Sequence, residues 1–239
     1  MKLSDFKVLT FDCYGTLIDW ETGLFQALSP LIERVKQPLG KDQVLEAHSR
    51  HEHAQEEWTP TRRYSDLLAT VYKRLAEEWG VAASWDDALA YGQSIGSWPA
   101  FPDSAEALAY LKQHYRLVVL SNVDNASFAK SNVRLKVPFD AVYTAEDIGS
   151  YKPSHRNFEY MLEKLKTLGL AKKDVLHTAQ SLFHDHGPAK QIGLASCWID
   201  RRHDRGGGFG ATVKPPVEPK YDFRFTSLAE MVKAHRGGG

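Results

Sequence analysis

Val8-Leu9-Thr10-Phe11-Asp12-Cys13-Tyr14-Gly15-Thr16-Leu17 decides the fold of this chain. A short apolar run with β-branched residues ends on a carboxylate, and a glycine turn follows at once. A buried strand that stops at Asp12 holds that carboxylate at the mouth of a sheet, with its oxygens facing outward. The position suits a nucleophile. An attacking carboxylate forms an ester and splits one difficult displacement into two easier steps.

Working outward, strand-like and helix-like segments alternate after residue 98. The spacing predicts strands at 116–120, 139–144, 174–178 and 194–199, with a last edge strand at 221–225. Asp103 and Glu106 form a capping-box signature ahead of Leu108 and Leu111. Phe158, Met161, Leu162, Leu165 and Leu168 recur at helical spacing, and Gly169 closes that helix. A helix follows at 188–192, and Ser227 with Glu230 caps a terminal one. This alternation predicts the α/β class: a doubly wound parallel sheet with helices on both faces.

Residues 20–97 differ. Strand signals are scarce, and Leu67, Leu68, Val71, Tyr72, Leu75 and Trp79 make one helical stripe ended by Gly80. A second helix is expected at 42–57. The expected organisation is a core of residues 1–19 and 98–239 with a helical cap of residues 20–97. Trp98-Pro99-Ala100-Phe101-Pro102 is the return hinge. Trp20, Trp58, Tyr64 and Trp98 are expected in the cap core. Arg205-Gly206-Gly207-Gly208-Phe209-Gly210 does not open a helix after a strand, so it reads as a surface loop rather than a dinucleotide fingerprint.

Composition narrows the function. Of 239 residues 43% are apolar, enough for a sizeable core, and 30 basic residues balance 30 acidic ones. With no basic excess, nucleic-acid binding is not expected. Two cysteines, Cys13 and Cys197, are too few for a disulfide framework, and Cys13 is expected as a small buried filler. The apolar run before Asp12 is too short for a signal peptide, and no run of about 18 apolar residues predicts a membrane span. A cytoplasmic protein without a membrane partner is the expectation.

Four polar positions each follow a strand-like run: Asp12, Ser121 with Asn122, Lys152, and Asp185. In an open parallel sheet the carboxyl ends of the strands share one edge, where ligands bind. These residues, far apart in sequence, can therefore meet in one cleft. Asp12-Cys13-Tyr14-Gly15-Thr16, Leu120-Ser121-Asn122, Tyr151-Lys152-Pro153 and Asp185 resemble, in order, the four motifs of the haloacid dehalogenase superfamily. The resemblance spans residues 8 to about 200. Asp-x-Tyr-Gly-Thr, and the stretch Cys197-Trp198-Ile199-Asp200-Arg201, are similar to its 2-haloacid dehalogenase (type II) branch.

The resemblance implies a Rossmann-like core and a hydrolase that cleaves the carbon–halogen bond of short 2-haloacids to give 2-hydroxy acids. Asp12 is the implied nucleophile, and Thr16 and Lys152 hold its oxygens. Ser121 and Asn122 bind the substrate carboxylate, Tyr14 and His184 line the substrate site, and water near Asp185 hydrolyses the ester. A halide-binding arginine is implied from the first cap helix, with Arg50 the candidate and Arg62 and Arg63 as alternatives. No cofactor is implied. A homodimer formed through the cap is compatible with the resemblance.

A Mg²⁺-dependent phosphatase of a small metabolite is the alternative. Phosphatase relatives place an aspartate two residues after the nucleophile, to protonate a departing alkoxide. Here Tyr14, with an ordinary pKa near 10, stands there. Their fourth motif carries an acidic residue five positions before Asp185, where this chain has Gln180, so a magnesium site is weakened. Three features depart from the dehalogenase pattern: Phe158 for a tyrosine, Gln180 and Leu182 for a serine and an asparagine, and His184 for an aromatic. The Ser181-Leu182-Phe183-His184-Asp185 stretch is more phosphatase-like. A non-catalytic scaffold is disfavoured by intact Asp12 and Lys152. His48, His51 and His53, with His184 and His186, are expected as polar cleft lining or surface rather than a metal cluster, although His48 and His51 can share a helix face.

Overall fold

The computed structural model describes residues 1–204 and 212–238, so the glycine-rich stretch 205–210 lies outside the described residues. Val8–Phe11 forms β1, buried throughout, at the centre of a six-stranded sheet. The others are β2 (Arg116–Ser121), β3 (Ala141–Thr144), β4 (Val175–Ala179), β5 (Ala195–Ile199) and β6 (Phe223–Phe225). Their order is β3-β2-β1-β4-β5-β6, and every pairing is parallel. The chain builds the sheet in one direction from β1 to β3, then returns to the other side of β1 for β4 to β6. That reversal opens a crevice beyond the carboxyl end of β1, where such sheets bind ligands. Phe11 pairs in register with Val119 of β2 and Thr178 of β4, so Asp12 leaves the sheet flanked by the ends of both neighbours.

The helices are α1 (Trp20–Ile32), α2 (Lys41–Trp58), α3 (Tyr64–Glu78), α4 (Trp85–Gln93), α5 (Ser104–Leu111), α6 (Asn125–Leu135), α7 (Ala145–Ile148), α8 (His155–Thr167), α9 (Gly187–Gln191) and α10 (Leu228–Arg236). None is long and apolar enough to cross a membrane. The first four form the insertion between β1 and β2. Its two connections run side by side: Ile18 bridges Ala100, Asp19 N–H donates to Pro99 O at 2.8 Å, and Phe101 N–H to Leu17 O at 3.0 Å. Trp98 is buried against α1, where a Cβ on Gly23 would lie 2.3 Å from its ring.

Three local expectations fail for physical reasons. Asp103 does not cap α5, because its carboxylate is drawn to Arg201 at 2.9 Å and to the Ala229 N–H at 3.1 Å. Leu168 is half exposed because α8 stops at Thr167 and the chain turns away through Gly169 at φ +77°. Trp58 is exposed at the end of α2 and stacks under Arg74 at 4.3 Å, whereas Trp20, Tyr64 and Trp98 are buried.

Gly15 is required by the turn after Asp12. It sits at φ +96°, and a Cβ there would lie 3.0 Å from Trp20 Nε1. Gly15→Ala is expected to cost about 1–3 kcal/mol of stability. Thermal melting checks this, and an unchanged midpoint would contradict it.

Candidate active site

The loop after β1 aims Asp12 into the crevice and fixes both of its carboxylate oxygens. Thr16 Oγ1 donates to Asp12 Oδ2 at 2.7 Å, and Lys152 Nζ donates to Oδ1 at 2.8 Å. Thr16 is itself braced: its hydroxyl accepts from the Gln180 N–H at 2.9 Å, and its carbonyl accepts from Arg201 at 2.9 Å. The Arg201 guanidinium sits over the Phe101 ring, 4.0 Å from its centroid, so β5's end supports the β1 loop.

Lys152 reaches the site from the loop after α7 and spends all three ammonium protons there. Besides Asp12 it donates to Asp185 Oδ1 at 2.7 Å and to Leu120 O at 3.1 Å. Its side chain is 2% exposed. Burial works against the ammonium, but Asp12 and Asp185 together hold its pKa above the ordinary lysine value. Burial alone would raise Asp185; the charge of Lys152 and the His177 hydrogen bond pull it well below the usual carboxylate range. Asp12 is raised, because burial and the Asp185 charge outweigh the pull of Lys152. Two carboxylates thus share one cation, and Asp12 is the more basic of them.

His177 was not legible as a site residue. It lies on β4 beside Thr10 of β1, to which Nδ1 is bonded at 2.9 Å, while Nε2 meets Asp185 Oδ1 at 2.8 Å. Phe158, buried against the His177 ring at 5.3 Å, occupies the space behind. The only sequence signal was a polar pair, Thr10 and His177, inside otherwise apolar strands.

A small cavity of about 50 Å³ opens over Asp12. Tyr14 lines it, but its hydroxyl turns to Ser131 Oγ at 2.8 Å, and burial pushes its pKa well up. Ser121 lines it with a buried hydroxyl that has no partner among the described residues. Asn122 also lines it, yet its amide braces the Lys152 loop: Oδ1 accepts from Lys152 N–H at 2.7 Å and Nδ2 donates to Lys152 O at 3.0 Å. Of the two residues expected to bind a substrate carboxylate, Ser121 has its hydroxyl unengaged among the described residues, whereas the Asn122 amide is committed to the Lys152 backbone.

Arg50 is misplaced by the sequence reading. It points off the outer face of α2, where Glu78 takes its guanidinium at 2.6 and 2.7 Å, and it does not line the Asp12 cavity. Arg63 pairs with Asp66 at the surface, and Arg62 is exposed as well. Among the described residues lining the cavity none is an arginine. The cap side instead supplies Glu52, Glu56 and Tyr64. Glu56 Oε1 accepts from Asn122 at 3.2 Å; burial and the neighbouring Glu52 charge push its pKa well above the usual range. Glu52 receives the Tyr64 hydroxyl; the adjacent His48, 3.5 Å away, and the Tyr64 hydrogen bond lower its pKa against burial. The signal was polar residues at 52 and 56, continuing the buried stripe that begins with Val44, Leu45 and His48.

The histidines separate as helix geometry requires. His48 is buried inside the cap against Tyr91 at 2.8 Å, and His51 pairs with Glu78 on the outer face, so these two do not share an environment. His186 is held between Ala179 O and Ser196 in the core. His184 lines the cavity, and burial lowers its pKa to about 4, so it is neutral near pH 7. His53 approaches His184 from the cap.

A magnesium site of the phosphatase kind does not fit these residues. Gln180 lines the two cavities on the Trp20 and Trp198 sides rather than the Asp12 cavity, and its Oε1 lies over Gly15 beside Trp20.

A buried Asp–Lys–Asp triad at the switch point of a parallel sheet, with a helical insertion after the first strand, defines a hydrolase class. The family model for haloacid dehalogenase-like hydrolases matches residues 6–178, and the chain belongs to that family. A Bacillus subtilis (strain 168) protein named as a HAD-hydrolase, YfnB, is 25% identical over 204 residues, covering 82% of this chain and 84% of that protein. Among solved structures, the L-2-haloacid dehalogenase PA0810 superposes with a TM-score of 0.77 at 20% identity, covering 97% of this chain and 99% of that one. The L-2-haloacid dehalogenase of Xanthobacter autotrophicus with chloropropionic acid covalently bound gives 0.77 at 19% identity, over 98% and 100%. YfnB bound to magnesium gives 0.73 at 19%, over 95% and 97%. At such identities the structural likeness speaks for the fold.

Proposed function

We propose that the chain hydrolyses the carbon–halogen bond of a short 2-haloacid through an ester on Asp12, releasing the 2-hydroxy acid. The observation that carries this reading is Tyr14. It stands where a phosphatase keeps its proton donor, and its hydroxyl is committed to Ser131 with a raised pKa. A departing halide needs no proton, whereas a departing alkoxide does. Asp12 attacks the halogen-bearing carbon in line. Lys152 and Thr16 keep its carboxylate oriented, and Ser121 receives the substrate carboxylate. Asp185 Oδ2, buried and without a partner among the described residues, takes the hydrolytic water. The cavity of about 50 Å³ favours two- and three-carbon acids.

One observation favours the phosphatase alternative. Glu56 is a buried carboxyl at the cavity wall whose pKa burial and the Glu52 charge push well above the usual range, which suits a proton donor in the place Tyr14 does not fill. The deciding experiment compares halide release from chloroacetate and 2-chloropropionate with phosphate release from p-nitrophenyl phosphate plus Mg²⁺. Halide release alone is expected. Magnesium-dependent phosphate release without halide release would overturn the proposal.

The raised pKa of Asp12 sets the acid limb. The nucleophile must be ionised, and burial makes it protonate at a higher pH than an exposed aspartate. Activity is therefore expected to fall on acidification with an apparent pKa above the ordinary aspartate value of about 3.9. A kcat/KM profile flat down to that value would contradict it.

A further inference from the structure

We propose that His53, Glu56 and His184 form a binding site for one first-row divalent cation, of the Zn²⁺ class, at the seam between cap and core. It is separate from Asp12 and from the magnesium site of the phosphatase relatives. One ligating atom from each residue lies within 4.8 Å of the other two. Two imidazoles and a carboxylate are a donor set that suits Zn²⁺ and its first-row neighbours rather than Mg²⁺.

The chain brings these atoms together from two directions. His53 and Glu56 are three residues apart on α2 and share a helix face. His184 sits on the π-helical turn Leu182–His186 that follows β4, and π-turns recur at functional sites. The ligand atoms are oriented as metal ligands are. Ser181 Oγ engages His184 Nδ1 at 3.2 Å, leaving Nε2 free on the Glu56 side. Asn122 holds Glu56 Oε1 at 3.2 Å, leaving Oε2 to face His184. Such outer partners fix the tautomer and the aim of a ligand. His184 Nε2 and Glu56 Oε2 stand 3.7 Å apart, too far for a hydrogen bond. Two ligands on a tetrahedral zinc are about 3.4 Å apart, so a small adjustment seats the ion. His184 Nε2 and His53 Nδ1 are both buried without a hydrogen-bond partner among the described residues.

The site answers a deficit in the cavity. Glu56 and His184 line it, together with Asp12, Asp185 and Glu52, and Lys152 is spent on the triad. Among the described residues lining the cavity no arginine is present to receive an anion. A cation on the seam supplies that charge and ties the cap to the core. This consequence rests on the hydrolase reading, whereas the binding itself does not.

The test is binding. Protein stripped with EDTA and exchanged into chelator-free buffer is titrated with Zn²⁺ alone by calorimetry, against a competing chromophoric chelator. One Zn²⁺ per chain is expected. His53→Gln, Glu56→Gln and His184→Ala should each weaken it by on the order of 10–100-fold or more, with melting curves confirming that each variant is folded. Asp12→Asn and His51→Ala, the latter an outward-facing histidine of the same helix, should leave the affinity unchanged. Absence of saturable one-to-one binding would overturn the proposal. So would affinity that survives His53→Gln and Glu56→Gln, or that is lost in Asp12→Asn. Halide release by Asp12 is measured separately, so failure here leaves the ester chemistry standing.

Discussion

Asp12→Asn abolishes turnover while leaving the fold as stable as before, or slightly more so. The amide cannot attack carbon, and loss of a nucleophile that acts with its neighbours as one unit costs on the order of 10⁴-fold or more in kcat. The stability half follows from charge. Asp12 and Asp185 share the single ammonium of Lys152, and burial has already raised the Asp12 pKa. A carboxyl whose folded-state pKa is raised is easier to protonate folded than unfolded, so its ionisation at neutral pH opposes folding. Asparagine removes that charge and can still accept from Thr16. Activity assays and melting curves check both halves. Appreciable halide release by the purified variant would sink the covalent mechanism.

Lys152→Met has the opposite profile, destroying activity and stability together. Its Nζ lies 2.8 Å from one carboxylate and 2.7 Å from the other, with both nearly out of solvent. Methionine fills the space and leaves two buried carboxylates without a cation. Breaking such a buried network by removing one partner costs about 3–5 kcal/mol. For a chain of this size that lowers the melting midpoint by roughly 6–20 °C. The sign with pH is set by the same groups. Without Lys152 both carboxyls favour their neutral forms, so the deficit shrinks as pH falls and one of them protonates. Adding Asp185→Asn removes one stranded charge and should recover part of the stability but none of the activity. A single variant that melts like the parent, or a deficit that grows on acidification, would contradict this account.

The core motifs were legible because each lies at or beyond the carboxyl end of a strand, Lys152 one short helix past β3, and a parallel sheet brings those ends to one edge. Asp12, Lys152 and Asp185 meet as that rule requires, although 140 and 33 residues separate Lys152 from its two partners. The cap was legible as helices but not as a lining. Which face of α2 turns inward depends on how the insertion docks, and that is settled by Trp98 against Gly23 and by the Ile18–Ala100 bridge. Arg50 and Glu52 are two residues apart, so a rotation of half a turn exchanges them. Arg50 was expected because the resemblance implies a halide-binding arginine on a cap helix, and nothing in the sequence shows which face of α2 turns inward. His177 was hidden because it lies inside β4, where Thr10 on the neighbouring strand holds one ring nitrogen and Asp185, brought back by the turn after β4, meets the other.

The central claim is the ester on Asp12, and a single turnover in H₂¹⁸O tests it most directly. With enzyme in excess over 2-chloropropionate, the account predicts that the first hydroxy acid released carries an ordinary oxygen taken from Asp12. The heavy oxygen should appear in the peptide containing Asp12, read by mass spectrometry. Hydroxy acid bearing ¹⁸O in the first turnover, with Asp12 unlabelled, would mean that water attacks the substrate directly and would contradict it.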